Sequence, residues 1–236
     1  MKRILISIIL IIVLMIGVNG CMRIGKPSIE DKMVAYMNEK YPNDVFAYKG
    51  PFGGGAGIST KKIIVSSENY PDADIYVMCV KNDDGSYKYS DNYLGVKYSE
   101  QTEELIRNIL TAAFGADFFL SYDVSMYGHP KDYSAYTTFE EYIDDAASDI
   151  GFMAVIGDSY QLLDKEELVS QLEKLFSQNG MCCNFSVIYF DNSSEEYKAL
   201  SRGTELSAYL YKKLYKERLI FDMESSTEFS KYEWRE

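Results

Sequence analysis

Histidine, tryptophan and basic residues are scarce in this chain of 236 residues. It contains one His and one Trp, and 24 Lys and Arg stand against 36 Asp and Glu, which gives a formal net charge of −12. A single histidine excludes a histidine-rich zinc site. The acidic balance also argues against nucleic acid as a partner, because binding of phosphates requires clustered Lys and Arg.

Cysteine is also scarce, with only Cys21, Cys79, Cys182 and Cys183. A secreted fold held by disulfides would have more cysteines in a shorter chain. Because successive side chains of a strand face opposite ways, the pattern around each residue predicts that Cys79 and Cys183 are buried and that Cys182 points away from the core. Buried thiols are therefore expected. A Cys79–Cys183 disulfide and a catalytic or metal-binding thiol are the alternatives.

Long hydrophobic runs are missing except at the start of the chain. Residues 4–18 form an apolar run that follows Lys2 and Arg3 and precedes the tripeptide Asn19-Gly20-Cys21. A basic start, an apolar core and a small residue before a cysteine are typical of a bacterial lipoprotein signal. The run is short for a membrane-spanning helix, which needs about 20 apolar residues. We expect residues 1–20 to be a cleaved signal peptide and Cys21 to carry the lipid; a plain signal peptide or a retained anchor are the alternatives.

Cleavage after residue 20 leaves a mature chain of 216 residues with a formal net charge of −14, because Lys2 and Arg3 are removed. This length suits one large domain or two small ones. The sequence predicts a tether at 21–27, an N-terminal lobe at 28–115 and a C-terminal lobe at 116–236, with one continuous domain as the alternative. An acidic surface is expected to repel an anionic membrane and to keep the domain off the lipid headgroups.

The hydrophobic periodicity predicts an α+β fold with mixed sheets covered by amphipathic helices. The N-terminal half follows the order α-β-β-β-β-α, with helices near 28–41 and 99–114, strands near 44–49, 61–67 and 74–81, a turn at 82–85 and a strand from 87. The C-terminal half follows the order β-α-β-α-β-α-β, with strands near 118–126, 152–156, 183–190 and 218–222 and helices from 138, from 164 and at 204–216. This alternation favours parallel pairing in the second half.

The segment at 51–60 is rich in glycine and contains Gly53, Gly54, Gly55 and Gly57. Backbone without side chains can approach a ligand closely, and its N–H groups can bind an anion. A nucleotide-binding loop would place a lysine before Ser or Thr and continue into a helix. Here Lys61 comes after those residues and a strand follows. A connection between strands is expected, and a loop that binds an anion or a peptide is the alternative.

The other candidate motifs do not carry a reaction. In the Asp- and Asn-rich stretch at 82–92, counting back from Gly85 places Val80 at the first ligand position of an EF-type calcium loop, where an acidic residue is required. His129 and a cysteine could form a nucleophile and base, but no cysteine lies at a helix N-terminus in an electropositive setting. The sequence therefore assigns no catalytic residue, no metal site and no cofactor.

Five segments carry a resemblance to known proteins: KYP at 40–42, PFGG at 51–54, YPDADIYV at 70–77, SDNY at 90–93 and YEW at 232–234. The chain resembles uncharacterised cell-surface lipoproteins of Gram-positive bacteria of the clostridial type, over the length of its mature part. The resemblance implies an extracytoplasmic location. It contributes no catalytic residue, because no activity is attached to such proteins.

The sequence favours a protein on the extracytoplasmic face of the cell membrane, attached to that membrane through an N-terminal diacylglycerol on Cys21. Because it has a strong anchor signal and no coherent catalytic motif, the expected role is a non-enzymatic domain that binds an extracytoplasmic protein or a cell-wall partner. The alternatives are a cell-surface hydrolase whose active-site residues are dispersed in sequence, and a transporter-associated solute receptor.

Overall fold

The computed structural model describes residues 26–52, 60–115, 118–124, 133–145, 150–156, 164–181, 183–189, 217–225 and 228–235. Several residues singled out above lie outside these ranges: Cys21, Gly53, Gly54, Gly55, Gly57, His129 and Cys182, together with the predicted signal peptide at 1–20 and the predicted helix at 204–216.

The described residues form an α+β fold with two sheets, as the sequence predicts. The helices are α1 (Ile29–Lys40), α2 (Tyr93–Lys97), α3 (Ser99–Phe114), α4 (Phe139–Asp145) and α5 (Lys165–Gln178). The strands are β1 (Phe46–Pro51), β2 (Thr60–Ser67), β3 (Ile75–Lys81), β4 (Tyr87–Asp91), β5 (Phe118–Val124), β6 (Ile150–Ile156), β7 (Asn184–Tyr189), β8 (Glu217–Ser225) and β9 (Glu228–Arg235).

The first sheet is antiparallel throughout and has the order β1-β2-β3-β4. The predicted turn at 82–85 joins β3 to β4: the Gly85 N–H donates to the Asn82 carbonyl at 3.0 Å, and Gly85 has a φ of 83°. Glycine suits this position because other side chains disfavour positive φ. The predicted order of the N-terminal half is confirmed, and the short helix α2 is an addition to it.

Helix α1 covers one face of the first sheet. It begins with a capping box, in which the Ser28 hydroxyl accepts from the Asp31 N–H at 3.1 Å and the Asp31 carboxylate accepts from the Ser28 N–H at 2.9 Å. These bonds satisfy backbone donors that the first turn leaves without partners. One turn apart, Met33 and Met37 are fully buried in the core between the helix and the sheet.

Strand β1 forms an edge of the first sheet and is irregular. Its register with β2 shifts between Tyr48 and Gly50, so that Lys49 is an extra residue on the β1 side. The Lys49 ammonium lies 2.6 Å from the Asp74 carboxylate at the surface. Pro51, which has no N–H to donate, ends the strand.

The second sheet has the order β5-β6-β7-β8-β9 and is mixed. Only β6 and β7 pair in parallel, whereas β5–β6, β7–β8 and β8–β9 are antiparallel. The expectation of parallel pairing is therefore wrong for two of the three pairs of predicted strands, and β9 is an addition to the predicted order. Helix α4 follows β5 and precedes β6 in the chain, and its aromatic side chains pack on Tyr98 of the first half. The centres of the Phe139 and Tyr142 rings each lie 5.6 Å from the centre of the Tyr98 ring. Thus α4 does not serve as a crossover helix on the second sheet.

Aromatic packing joins α5 to the second sheet. The Phe185 ring of β7 lies 4.9 Å from Phe152 of β6 and 4.7 Å from Phe176 of α5. The helix begins at Asp164, whose carboxylate accepts from the backbone N–H groups of residues 166 and 167. Across the two halves, the Gln171 side chain donates to the Ala112 carbonyl of α3 at 3.4 Å. Most of the buried apolar side chains described in the two halves belong to one contiguous cluster.

Cys79 and Cys183 are both buried, as the alternation of their strands predicts. Cys79 lies in β3 of the first sheet, and Cys183 directly precedes β7 of the second. Their sulfurs are not joined, so the alternative of a Cys79–Cys183 disulfide is wrong. Among the described helices, none has the length and apolar character needed to cross a membrane.

Candidate functional site

A cleft of about 750 Å³ lies between the β2–β3 loop and the junction of α2 with α3. The loop contributes residues 69–73 to its lining, and the junction contributes residues 96–101. The two segments are brought together because α2 follows β4 directly and the loop precedes β3, the neighbour of β4 in the sheet.

On the helical side, Tyr98 connects α2 to α3 and is buried. Its hydroxyl donates to the Thr137 carbonyl at 2.6 Å, and the Lys97 ammonium lies 4.6 Å from the centre of its ring. The Ser99 hydroxyl donates to the Val96 carbonyl at 2.9 Å. The hydroxyl protons of Tyr98 and Ser99 are therefore already engaged with backbone carbonyls.

On the loop side, the buried carboxylate of Asp44 fixes the path of the chain. It accepts from the Asn69 N–H at 3.2 Å and from the Ser67 hydroxyl, and the Ser67 oxygen accepts in turn from the Tyr70 N–H at 3.0 Å. Asn69 and Tyr70 are thus both held by Asp44, Asn69 directly and Tyr70 through Ser67.

The charge of Asp44 is stabilised by these bonds. Burial by itself raises the pKa of a carboxyl group, but hydrogen bonds from Ser67 and from backbone N–H groups outweigh it and hold the pKa of Asp44 below its usual value. Burial also raises the pKa of Tyr70, and the nearby charges of Asp44 and Glu100 add to that effect. Asp44 is therefore an anion and Tyr70 a neutral phenol at neutral pH.

A second buried carboxylate lies behind the cleft. Asp91 accepts from the Tyr36 hydroxyl at 2.8 Å, the Lys40 ammonium at 2.9 Å, the Tyr41 hydroxyl at 2.8 Å and the Tyr93 N–H at 3.1 Å. Both carboxylate oxygens are satisfied, as a buried charge requires. Burial strongly raises the pKa of Tyr41. This network joins the end of α1 to the start of α2 and makes the rear of the site rigid.

The Tyr93 ring connects the network to the cleft. It lies 4.3 Å from the ring of Tyr41 and 5.8 Å from that of Tyr70, and its hydroxyl interacts with Asp44. The wall of the cleft is therefore backed by tyrosine rings between two satisfied carboxylates.

The mouth of the cleft is acidic. Of the three charged residues that line it, Asp72 and Glu100 are exposed acids and Lys97 is half-buried. Glu68 and Asp74 are exposed in the same loop as Asp72, and Asp74 pairs with Lys49. Beside it, the turn at 134–137 is tied to the cleft through the Tyr98–Thr137 bond and presents Tyr136, which is 79% exposed. The arrangement offers carboxylates, amides and aromatic surface to a ligand.

The cleft was also compared with the requirements of a catalytic serine and of a metal site. Ser99 has no base as its hydrogen-bond partner, since its proton goes to a main-chain carbonyl. Within the part of the chain that the structure describes, no group of three or more His, Cys, Asp or Glu side chains is arranged to hold a metal ion.

A smaller cleft of about 360 Å³ lies on the second sheet and is lined by residues of β5 to β8. Its polar groups include Asp123 and Asn184, and the Arg218 guanidinium donates to the Ser186 hydroxyl at 2.9 Å. Asp123 is the one acidic residue of its described lining, whereas Asp72 and Glu100 line the first cleft.

One of the two segments that build the first cleft, residues 69–73, overlaps a stretch that carries the resemblance noted above, and so does the network behind the cleft, whereas residues 96–101 lie outside those stretches. Tyr70 and Asp72 belong to the segment at 70–77, and Asp91 and Tyr93 belong to the segment at 90–93. Sequence reasoning missed the cleft because its two sides are about thirty residues apart. The available signal was the clustering of Tyr, Asp and Asn next to two predicted strands.

No protein-family model matches the chain, and no curated protein matches it. Among solved structures, the chain is similar to a DUF5037 family protein from Ruminococcus gnavus, with 15% sequence identity over 86% of this chain and 95% of that chain and a TM-score of 0.41. A similarity at this level assigns neither a family nor an activity to the chain.

Proposed function

We propose that the protein is a lipid-anchored extracytoplasmic protein whose cleft binds a basic or hydroxyl-rich partner without transforming it chemically. The single observation that carries the binding role is the acidic mouth of the cleft in front of a rigid, fully hydrogen-bonded wall. The partner is a protein segment or a cell-wall component.

The rigid wall favours binding because it lowers the entropy lost when a complex forms. The Asp44 bonds hold the loop that carries Tyr70, and the Tyr98–Thr137 bond holds the turn that carries Tyr136. Tyrosine provides a large contact area at a low entropic cost and often dominates the energy of an interface. Asp72 and Glu100 supply the charge complementarity to a basic partner.

The proposed anchor depends on Cys21 and the signal that precedes it. Cys21→Ala should abolish labelling by a fatty-acid probe and leave the precursor unprocessed, because the thiol is the site of lipid attachment. Cys79→Ala is the matched control and should be labelled like the wild type. Unchanged labelling and processing of the Cys21 variant would contradict the anchor.

The proposed cleft is tested by cross-linking on intact cells. A photo-reactive residue at Gln101, which is exposed in the cleft, should capture a partner, whereas one at Asn108, exposed further along α3, should not. The double variant Tyr70→Ala, Glu100→Gln should reduce the capture at position 101 by about tenfold, which corresponds to loss of an anchor side chain. Equal capture from both positions, or no effect of the double variant, would contradict the cleft as the binding site.

A further inference from the structure

The first sheet carries opposite charges at its two ends. We define the basic end as the end at which α1, β2 and β4 begin and β3 finishes. Its charged residues are six lysines, Lys26, Lys32, Lys61, Lys62, Lys81 and Lys88, and four acids, Glu30, Asp31, Asp83 and Asp84. An excess of lysine at this end is unusual in a chain with a formal net charge of −12.

Contacts of α1 place its first turn over this end. The Lys61 ammonium pairs with the Glu30 carboxylate, so the start of the helix lies beside the start of β2. The Lys32 ammonium lies 5.6 Å from the centre of the Tyr87 ring at the start of β4. Because Lys61 lies opposite Cys79 and Lys88 opposite Val80, these lysines stand at one level of the sheet.

Three of the four carboxylates of the basic end have a partner close by. Glu30 pairs with Lys61, Asp31 accepts from the Ser28 N–H, and Asp84 accepts from the Ser86 N–H at 2.8 Å. Lys26, Lys32, Lys81 and Lys88 are all exposed, and so are Asp31, Asp83 and Asp84. Hydrogen bonds from neutral N–H groups do not cancel a carboxylate charge, but six lysines against four acids leave this end with a formal charge of +2.

The opposite end, which we call the acidic end, carries the cleft. Its exposed carboxylates are Glu39, Glu68, Asp72, Asp74 and Glu100, against Lys49 and Lys97. Helix α1 runs from one end to the other and has 12 residues. At a rise of 1.5 Å per residue it separates the ends by about 18 Å.

We propose that the basic end docks on the anionic lipid headgroups of the membrane that holds the protein, so that the cleft at the acidic end faces away from the membrane. The orientation rests on the lipid attachment at Cys21 put forward under Proposed function. Lys26 is five positions after Cys21, and a chain of that length spans at most about 18 Å. The basic end is therefore the part of the described structure that the anchor holds nearest to the surface.

The charge separation makes this orientation stable. Lysines are attracted to an anionic membrane within about one Debye length, which is about 8 Å at physiological ionic strength. The acidic remainder of the protein is repelled by the same surface. The expectation that the domain as a whole stays off the headgroups therefore changes: repulsion and attraction act on opposite ends and together orient the first sheet.

The test uses purified lipidated protein in vesicles of phosphatidylcholine, with and without phosphatidylglycerol. A membrane-impermeant amine reagent modifies the lysines, and mass spectrometry reads each site. On anionic vesicles at low salt we expect Lys32, Lys81 and Lys88 to be protected by about threefold or more, and the protection to disappear at high salt. Lys49 and Lys97 at the acidic end should react alike on both kinds of vesicle.

A charge variant separates the proposal from general adsorption. A triple variant at the basic end should remove the protection of Lys26; its changes are Lys32→Gln, Lys81→Gln and Lys88→Gln. A double variant at the acidic end should preserve that protection; its changes are Lys49→Gln and Lys97→Gln. Thermal denaturation checks that both variants are folded. Equal reactivity on both kinds of vesicle, protection of Lys49 and Lys97, or equal protection by a soluble glycerol-phosphate polymer would overturn membrane docking.

The same mass spectra distinguish failure of the anchor from failure of the orientation. A diacylglyceryl group on the peptide that begins at Cys21 shows that the anchor is present. If that group is present and the lysines are not protected, only the orientation is wrong. If Cys21 carries no lipid, the anchor is wrong and the orientation falls with it.

Discussion

Gly95 of α2 lies directly against Val124, the last residue of β5. A Cβ atom at position 95 would stand 2.7 Å from the Val124 Cγ1 and 3.1 Å from the Tyr142 hydroxyl. Real side chains do not approach so closely, and both neighbours belong to the second half of the chain. The missing side chain of Gly95 therefore sets the closest approach of α2 to β5 and α4.

We expect Gly95→Ala to destabilise the protein by about 1–3 kcal/mol, because an extra methyl group must displace packed side chains. Gly50→Ala is the matched control, since no atom lies within 4 Å of a Cβ added there. The free energies of unfolding from urea denaturation provide the comparison. A Val124→Ala change should recover part of the loss in Gly95→Ala. Equal effects of the two glycine variants would show that the contact is not tight.

The Asp91 network should be a major contributor to stability. Asp91→Ala removes the carboxylate partner of the Lys40 ammonium, whose side chain is 13% exposed, and leaves the buried Tyr41 hydroxyl without its acceptor. Breaking a largely buried pair of this kind costs about 3 kcal/mol. Asp74→Ala is the control: it breaks the pair with Lys49, whose two side chains are 47% and 43% exposed, and should cost under about 1 kcal/mol. Similar losses of unfolding free energy in both variants would argue against the network.

Because the fold stabilises the charged form of Asp44, we expect the protein to lose stability in acid. Its pKa is lower in the folded protein than the usual value of about 3.9, so its charged form favours the fold. This contribution is present above that usual value and is lost as the pH falls through the lowered pKa of the folded state. Asp44→Asn should weaken the fall in the melting temperature below about pH 4. Asp72→Asn, an exposed change in the neighbouring loop, should leave the acid dependence as in the wild type.

Thiol accessibility tests the register of β7 and the burial of β3. Burial raises the pKa of the Cys79 thiol, which lowers its reactivity, and Cys183 is fully buried. In the native protein we expect a soluble alkylating reagent to modify neither residue until the protein unfolds. Mass spectrometry of the peptide that contains both Cys182 and Cys183 measures the alkylation of each, and we expect Cys182 to be modified more than Cys183. Preferential modification of Cys183 in the folded protein would mean that the register is wrong.

Local signals in the sequence located most helices and strands. The buried residues Met33 and Met37 repeat with the helical period, and Ser28 begins α1 as the capping pattern predicts. A capping box also begins α4, where the Thr138 N–H donates to Glu141 at 2.9 Å and the Thr138 hydroxyl accepts from the Glu141 N–H at 3.2 Å. Such signals can be read directly because every group involved lies within one or two helical turns.

The cleft and the strand pairing of the second half depend on contacts between distant residues. Helix α2 has five residues, too few to show a helical period. The bonds from Asn69 to Asp44 and from Lys40 to Asp91 join positions 25 and 51 residues apart, and nothing local marks those partners. Likewise, α4 packs on Tyr98, which is a contact between the two halves of the chain. Because α4 packs there and does not cross over the second sheet, β5 and β6 pair antiparallel.

The irregular edge at β1 has a consequence for contacts between copies of the protein. An open strand edge offers unpaired donors and acceptors, which can recruit the edges of other copies into a growing fibril. The extra residue Lys49 interrupts the regular spacing of donors and acceptors along β1, and Pro51 removes a donor. A polymer that added strands at β1 would have to bury the Lys49 charge and leave backbone groups without partners. The bulge thus disfavours edge-to-edge pairing between copies of the chain.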